Sequence, residues 1–337
     1  MHPFSFRPSR PLAFALVVAV STSSASAQPV ATAVDRTLDA YATPSQRVDI
    51  GGGRMLNLRC SGSGSPAVLL DIGQGMTSMS WRKVQPLLAA KRRVCSYDRA
   101  GLGFSDAAPP PRTAQAAAAD LHALVHAAKL PTPLVLVGHS MAGYIVRLYA
   151  AAHPEDVAGL VLVDPVVETL ADDAPAVVAF EAKLGEQNTA FGRHCLELAD
   201  RGDLAKGAPG SDGCVHPRYP GFSDALNESI RKRDLDPTYW RTALSERESD
   251  AANIAAVKAA KLPANVPLVV LDADGTNDWM PQDQREIADA AYHAGHAKIA
   301  AASTKGRLVP VSHSSHNVQE DQPRAIVDAV FALTPAR

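Results

Sequence analysis

Charge of one sign is what this sequence most clearly lacks. Its 337 residues carry 33 Lys and Arg against 35 Asp and Glu, a formal net charge of −2. A chain this close to neutral has no basic field of the kind on which nucleic-acid or anionic-membrane binding depends. Nucleic acid is thereby excluded as a partner, and a small, roughly neutral substrate is favoured. Long apolar runs are missing too: the stretch Pro11 to Val20 is half of the roughly 20 residues a spanning helix needs, which excludes stable membrane insertion. There are no internal repeats and no long low-complexity segment. What is present, 46% hydrophobic and 20% charged residues, is the composition of an ordinary globular protein with one sizeable core.

The first 27 residues read as a secretory signal. Arg7 and Arg10 form a basic start, Pro11 to Val20 an apolar centre, and Ala25-Ser26-Ala27 a small-residue cleavage site. The mature chain, residues 28–337, would begin at Gln28 and be periplasmic or secreted. Export bears on the four cysteines, because an oxidising compartment permits disulfides. Cys195 and Cys214 lie close together in a polar segment and form the natural local pair, while Cys60 and Cys95 fall at or within two predicted strands. Two free buried thiols are the alternative.

From about residue 45 the chain alternates strand-like and helix-like segments, the pattern of a mostly parallel sheet covered on both faces. Strands are predicted at Met55–Cys60, Ala67–Ile72, Arg93–Asp98, Leu134–His139, Gly159–Asp164, Leu268–Ala273 and Leu308–Val311. Several are continuous Val/Leu runs, as strands buried on both faces require. Helices are predicted at Thr113–Lys129, Met141–Ala152, Pro281–Ala301 and Pro323–Leu333. Residues 166–260 break the rhythm: charged and helical without clear strand character, they read as a cap inserted over the sheet. Phe180, Phe191, Tyr219, Phe222, Tyr239 and Trp240 in this insertion are either pocket lining or its own packing.

The strongest local signal is L-V-L-V-G-H-S-M-A-G, Leu134 to Gly143, a strand running through small residues into a helix. A tight strand-to-helix turn projects the Ser140 hydroxyl above the sheet, and the following helix N-terminus aims backbone N–H groups at a developing oxyanion. The pattern departs from G-x-S-x-G in having Ala142 at its last position, where left-handed backbone would cost an alanine something. A serine nucleophile needs a base. His316, before the final helix, is the predicted base, and His313 is assigned a structural role. The H-x-x-H spacing of this pair does not imply a metal, since it lacks the Glu of the helical zinc motif and a third ligand. The acid that orients the imidazole is either Asp164, at the end of the strand after the nucleophile helix, or Asp278, after the next strand in an Asp-rich turn with Asp272 and Asp274. Either can equally be a turn cap.

Taken together, Asp71-Ile-Gly-Gln-Gly75, the Y-D-R-A-G-L-G-F-S run from Tyr97 to Ser105, the Ser140 turn, Leu162-Val-Asp-Pro165 and Ser315-His-Asn317 followed by Asp321-Gln-Pro323 resemble the α/β-hydrolase superfamily, over roughly Arg47 to Ala336. The resemblance implies that the strands bearing Cys60 and Cys95 are neighbours, so that these cysteines pair. It implies that the Gln74 N–H joins the Met141 N–H in the oxyanion hole, and that the Asp98-Arg99 turn is structural. Many members take the acid after the later strand, which favours Asp278. The wording around Arg99 and Asp164 resembles a subgroup without one there, which tilts the assignment to Asp164. The expected reaction is hydrolysis of a carboxylic ester through an acyl-enzyme, with no cofactor and no metal. Lactone or amide cleavage by the same residues, and a silent binding protein on the same fold, are the alternatives. Nothing in the sequence sets the substrate or an oligomeric state.

Overall fold

In the computed structural model, which describes residues 33–334, eight strands form one sheet: β1 (Gln46–Asp49), β2 (Met55–Ser61), β3 (Val68–Asp71), β4 (Val94–Tyr97), β5 (Leu134–His139), β6 (Val157–Val163), β7 (Leu268–Gly275) and β8 (Gly306–Ser315). Their spatial order is β1-β2-β4-β3-β5-β6-β7-β8. β2 pairs antiparallel with both of its neighbours, β1 and β4, and all other neighbouring strands pair parallel. The predicted export signal, residues 1–27, lies outside the described residues. Among those described, no helix is long and apolar enough to cross a membrane.

The sheet is dry at its centre. Every residue of β3, β4 and β5 is buried, and the alternation of a strand sends successive side chains to opposite faces. Leu69, Leu134 and Leu136 join one apolar cluster with Leu121, Ile145 and Ile299. Leu70, Val135 and Val137 join the other with Trp81, Ile326 and Val330. Helices Ala114–Ala127, Ala142–Ala152 and Gln282–Ala301 supply residues to the first cluster, and helix Pro323–Leu333 to the second. Thr113 caps the first of these helices through its side chain, accepting the Ala116 N–H at 3.1 Å, as threonine at this position does.

Two edge strands depart from expectation. β1 was not foreseen, because three of its four residues are exposed and it carries no apolar run. β8 continues to Ser315, past the predicted end at Val311, and only two of its ten residues are buried. Edge strands can be polar because one side of their ladder faces water.

Between β6 and β7 the chain forms helices Leu170–Asp173, Pro175–Asp200, Asp224–Leu235, Pro237–Glu248 and Asp250–Ala259, with no strand. Cys195 and Cys214 are bonded there, with Cα atoms 5.5 Å apart, and sit in a small apolar cluster with Leu198, Leu204 and Trp240. The second disulfide joins Cys60 and Cys95, which face each other directly in the β2–β4 ladder.

Candidate active site

Ser140 follows the last residue of β5 with φ of +55°, a left-handed conformation that costs a side-chain-bearing residue and is retained where function requires it. The turn is tight enough that a Cβ on Gly138 would lie 2.7 Å from the Ala142 carbonyl oxygen and 2.8 Å from Val146, so only glycine fits there. The cost foreseen for Ala142 does not arise. Ala142 opens the helix Ala142–Ala152, and the left-handed residue is Ser140 itself.

His316 follows β8 immediately, where a loop was expected. Its Nδ1 lies 2.6 Å from Asp164 Oδ2. Asp164 directly follows β6, is 1% exposed and has φ of +44°. Its carboxylate also accepts the Ala273 N–H at 3.1 Å and the Thr276 hydroxyl at 2.5 Å, so a strand end and a side chain of the neighbouring turn both hold it. Asp278 takes no part: its side chain is 68% exposed and pairs with Arg285 at 3.2 Å. The other two aspartates of that turn are also occupied. Asp274 accepts the His313 and Ser314 N–H groups, and Asp272 binds His293 and His296. His313 is exposed, with φ of +57°.

Two buried histidines that sequence reasoning passed over surround this pair. His139, within the elbow itself, faces the His316 carbonyl with Nε2 at 2.8 Å. That atom therefore carries the proton, since a carbonyl can only accept. Burial, followed by the neighbouring His316, pushes His139 down to about 3, so it stays a neutral donor fixing the His316 backbone. His296 presents Nδ1 to Asp272 Oδ1 at 2.6 Å and Nε2 to the Pro165 carbonyl at 2.8 Å. Both ring nitrogens face acceptors, the arrangement that suits an imidazolium. Burial opposes that charge, but the Asp272 hydrogen bond and the Asp164 charge outweigh it and raise the His296 pKa.

Ser140, Gln74 and Met141 open onto a cavity of about 650 Å³. Among the described residues, neither the Gln74 nor the Met141 N–H has an intramolecular acceptor, which leaves both free for a ligand oxygen. The loop carrying Gln74 is shaped by Arg99, a buried residue assigned only a structural turn from sequence. Its guanidinium bonds Asp71 at 2.7 Å, Glu246 at 2.7 Å, the Gly73 carbonyl at 2.8 Å and the Ile72 carbonyl. Glu246 in turn accepts the Gly75 N–H at 2.8 Å. One buried ion cluster thus ties helix Pro237–Glu248 to the Gln74 loop.

The cavity wall is mixed, with charged side chains beside Met141, Val166, Val178 and Ala182. Glu181, Glu186, Arg193, Arg247 and Asp250 contribute to it, and none of the six insertion aromatics does. Phe180 stacks on Trp279, Phe191 packs edge-on against Trp240, and Tyr219 lies against Phe222. Phe191, Tyr239 and Trp240 line a smaller neighbouring cavity of about 310 Å³ that shares Gln74 and Arg247. The aromatics are spent largely on the insertion's own packing. Other charges of the insertion, such as Arg218, Asp224 and Arg241, lie on its outer surface.

Residues 68–329 match the model of the alpha/beta hydrolase family. The chain belongs to this family. An AB hydrolase superfamily protein of Gibberella zeae is 35% identical over 294 residues, covering 79% of this chain and 85% of that protein. A protein of Hormonema carpetanum named "Probable transporter efuK" is 38% identical over 129 residues; the match takes in 36% of this chain and only 18% of that protein's length. Among solved structures, a thermophilic esterase from Thermogutta terrifontis superposes with a TM-score of 0.54 at 21% identity, over 86% of this chain and 97% of the esterase, a likeness of fold.

Proposed function

We propose that this protein is a serine hydrolase acting on carboxylic esters, with Ser140 as nucleophile, His316 as general base and Asp164 as the orienting acid. The observation that carries the proposal is the 2.6 Å contact between His316 Nδ1 and Asp164 Oδ2, taken with a strained serine that opens onto a cavity. A carboxylate on Nδ1 fixes the tautomer that leaves Nε2 free to accept the serine proton and stabilises the imidazolium that forms. Ser140 Oγ attacks the ester carbonyl and its proton passes to His316. The Gln74 and Met141 N–H groups hold the oxyanion. Collapse of the intermediate expels the alcohol, which takes the proton from His316; water activated by the same imidazole then releases the acid and restores the serine. No step needs a cofactor.

The helices between β6 and β7 act in this reading as a cap over Ser140, and their charged wall favours a short, polar substrate over a long acyl chain. The two disulfides support export after removal of residues 1–27, since such bonds persist in oxidising compartments. The test is turnover of p-nitrophenyl esters of graded acyl length by the mature protein beside folded Ser140→Ala. The reading predicts activity greatest on the shortest acyl groups and abolished in the variant. Undiminished turnover in Ser140→Ala would overturn the nucleophile, and a preference for long chains would overturn the substrate class.

A further inference from the structure

The edge of the sheet opposite Ser140, where β5 and β6 begin, holds a second concentration of histidine. His122 and His126 stand four residues apart on helix Ala114–Ala127 and so share one face. They meet His153 and Asp156, which lie at and within the short turn Pro154–Asp156 that leads into β6. We propose that His122, His126 and Asp156 form a binding site for a borderline divalent transition metal, with zinc(II) as the reference ion.

Geometry is the first support. Asp156 Oδ2 lies 3.3 Å from His126 Nε2 and 3.7 Å from His122 Nδ1, and the three ligand atoms all fall within 4.8 Å of one another. Tetrahedral zinc with bonds of about 2.0–2.1 Å holds its ligand atoms roughly 3.3–3.4 Å apart, so small rotations of two imidazoles close the site. The His122 Nδ1 atom supplies a second support. It is buried with no hydrogen-bond partner among the described residues, and a buried polar atom left unpaired is costly. A metal at the centre of the three atoms would satisfy it.

The surroundings are those of a metal site rather than of a surface ion pair. Asp156 is buried, and its Oδ2 accepts the Tyr149 hydroxyl at 2.9 Å, an outer contact that orients a ligating carboxylate. His153 stacks on His122 with ring centroids 3.7 Å apart and planes within 10°. Two nitrogens and one carboxylate oxygen suit zinc, nickel or copper better than calcium or magnesium. His126 is half-exposed, which leaves a fourth position for water. Such a metal would clamp helix Ala114–Ala127 to the start of β6, away from Ser140. The H-x-x-x-H spacing was readable in the sequence, where only the apolar repeat of this helix had been used.

The experiment is calorimetric titration of Zn²⁺ into tag-free protein stripped with a chelator, with thermal unfolding followed in parallel. One zinc per chain is expected, with a raised unfolding temperature. Removing a partner of a metal site typically costs roughly 10–100-fold in affinity, so a loss of at least about tenfold is expected in His126→Ala and in His122→Ala. His126 is exposed enough for its variant to fold, and ester turnover in His126→Ala should equal that of the wild type. Absence of stoichiometric binding by the wild type, or equal affinity in wild type and both variants, would overturn the proposal.

Discussion

The sheet and the helical insertion above it are built on opposite terms. All six residues of β5 are buried, whereas helix Pro175–Asp200 buries five of its 26. In a close-packed sheet a strand end is positioned to a fraction of an ångström, and Ser140, Asp164 and His316 all sit directly after strands. The insertion is held by a local disulfide, a small cluster around Trp240, the ion cluster at Arg99 and a few residues, among them Leu170, Val177 and Val257, that join the larger apolar cluster on one face of the sheet. The geometry that the proposed reaction needs is thus fixed by the part of the molecule least free to move. The part that is cheaper to vary lines the cavity.

That contrast is tested most sharply by two aspartates in neighbouring turns. Asp164→Asn removes the carboxylate on the sheet side and should lower kcat by about 10⁴, the cost of a wrongly oriented imidazole. Asp278→Asn, at the exposed turn, should stay within about twofold, as surface changes do. Steady-state ester kinetics on both variants would reverse the assignment if the two effects were exchanged.

The link between the two regions comes next in size. Arg99→Met leaves Asp71 and Glu246 buried without their cation, and breaking a buried ion cluster in this way costs about 3–5 kcal/mol. Chemical denaturation should register that loss, and kcat should fall with it because the Gln74 loop loses its anchor. A variant of unchanged stability would show that the cluster does not tie the insertion down.

The smallest effect concerns His296. Its folded pKa is raised above the unfolded value of about 6.5, so its contribution to stability is complete below about pH 6.5 and is lost as pH rises through the folded value. The stability difference between wild type and His296→Gln should therefore be greatest in mild acid and shrink with rising pH, measured by denaturation at several pH values. A difference that grows with pH would show that His296 is buried neutral.

Much of this was legible in the sequence, and for identifiable reasons. The Val/Leu runs of β3, β5 and β6 can only be strands covered on both faces, and the glycine two residues before Ser140 announces a close turn. β1 and the end of β8 were not legible, because an exposed edge needs no apolar pattern. Asp164 and Asp278 could not be separated along the chain, since the β6–β7 register and the Thr276 hydroxyl that hold Asp164 against His316 are contacts between distant segments. His139 and His296 looked like any other histidines until their partners, a backbone carbonyl and a buried carboxylate, came into view. Whether the insertion aromatics line a pocket or pack among themselves could not be decided along the chain, because composition says nothing about which side of a helix faces a cavity.

The central claim, that Ser140 is a nucleophile activated by His316, is tested most directly by fluorophosphonate labelling with mass-spectrometric location of the adduct. The account predicts a single adduct on the peptide containing Ser140 in the wild type, and labelling slowed by orders of magnitude in His316→Ala. An unlabelled wild type, an adduct on another residue, or equal labelling of His316→Ala would contradict it.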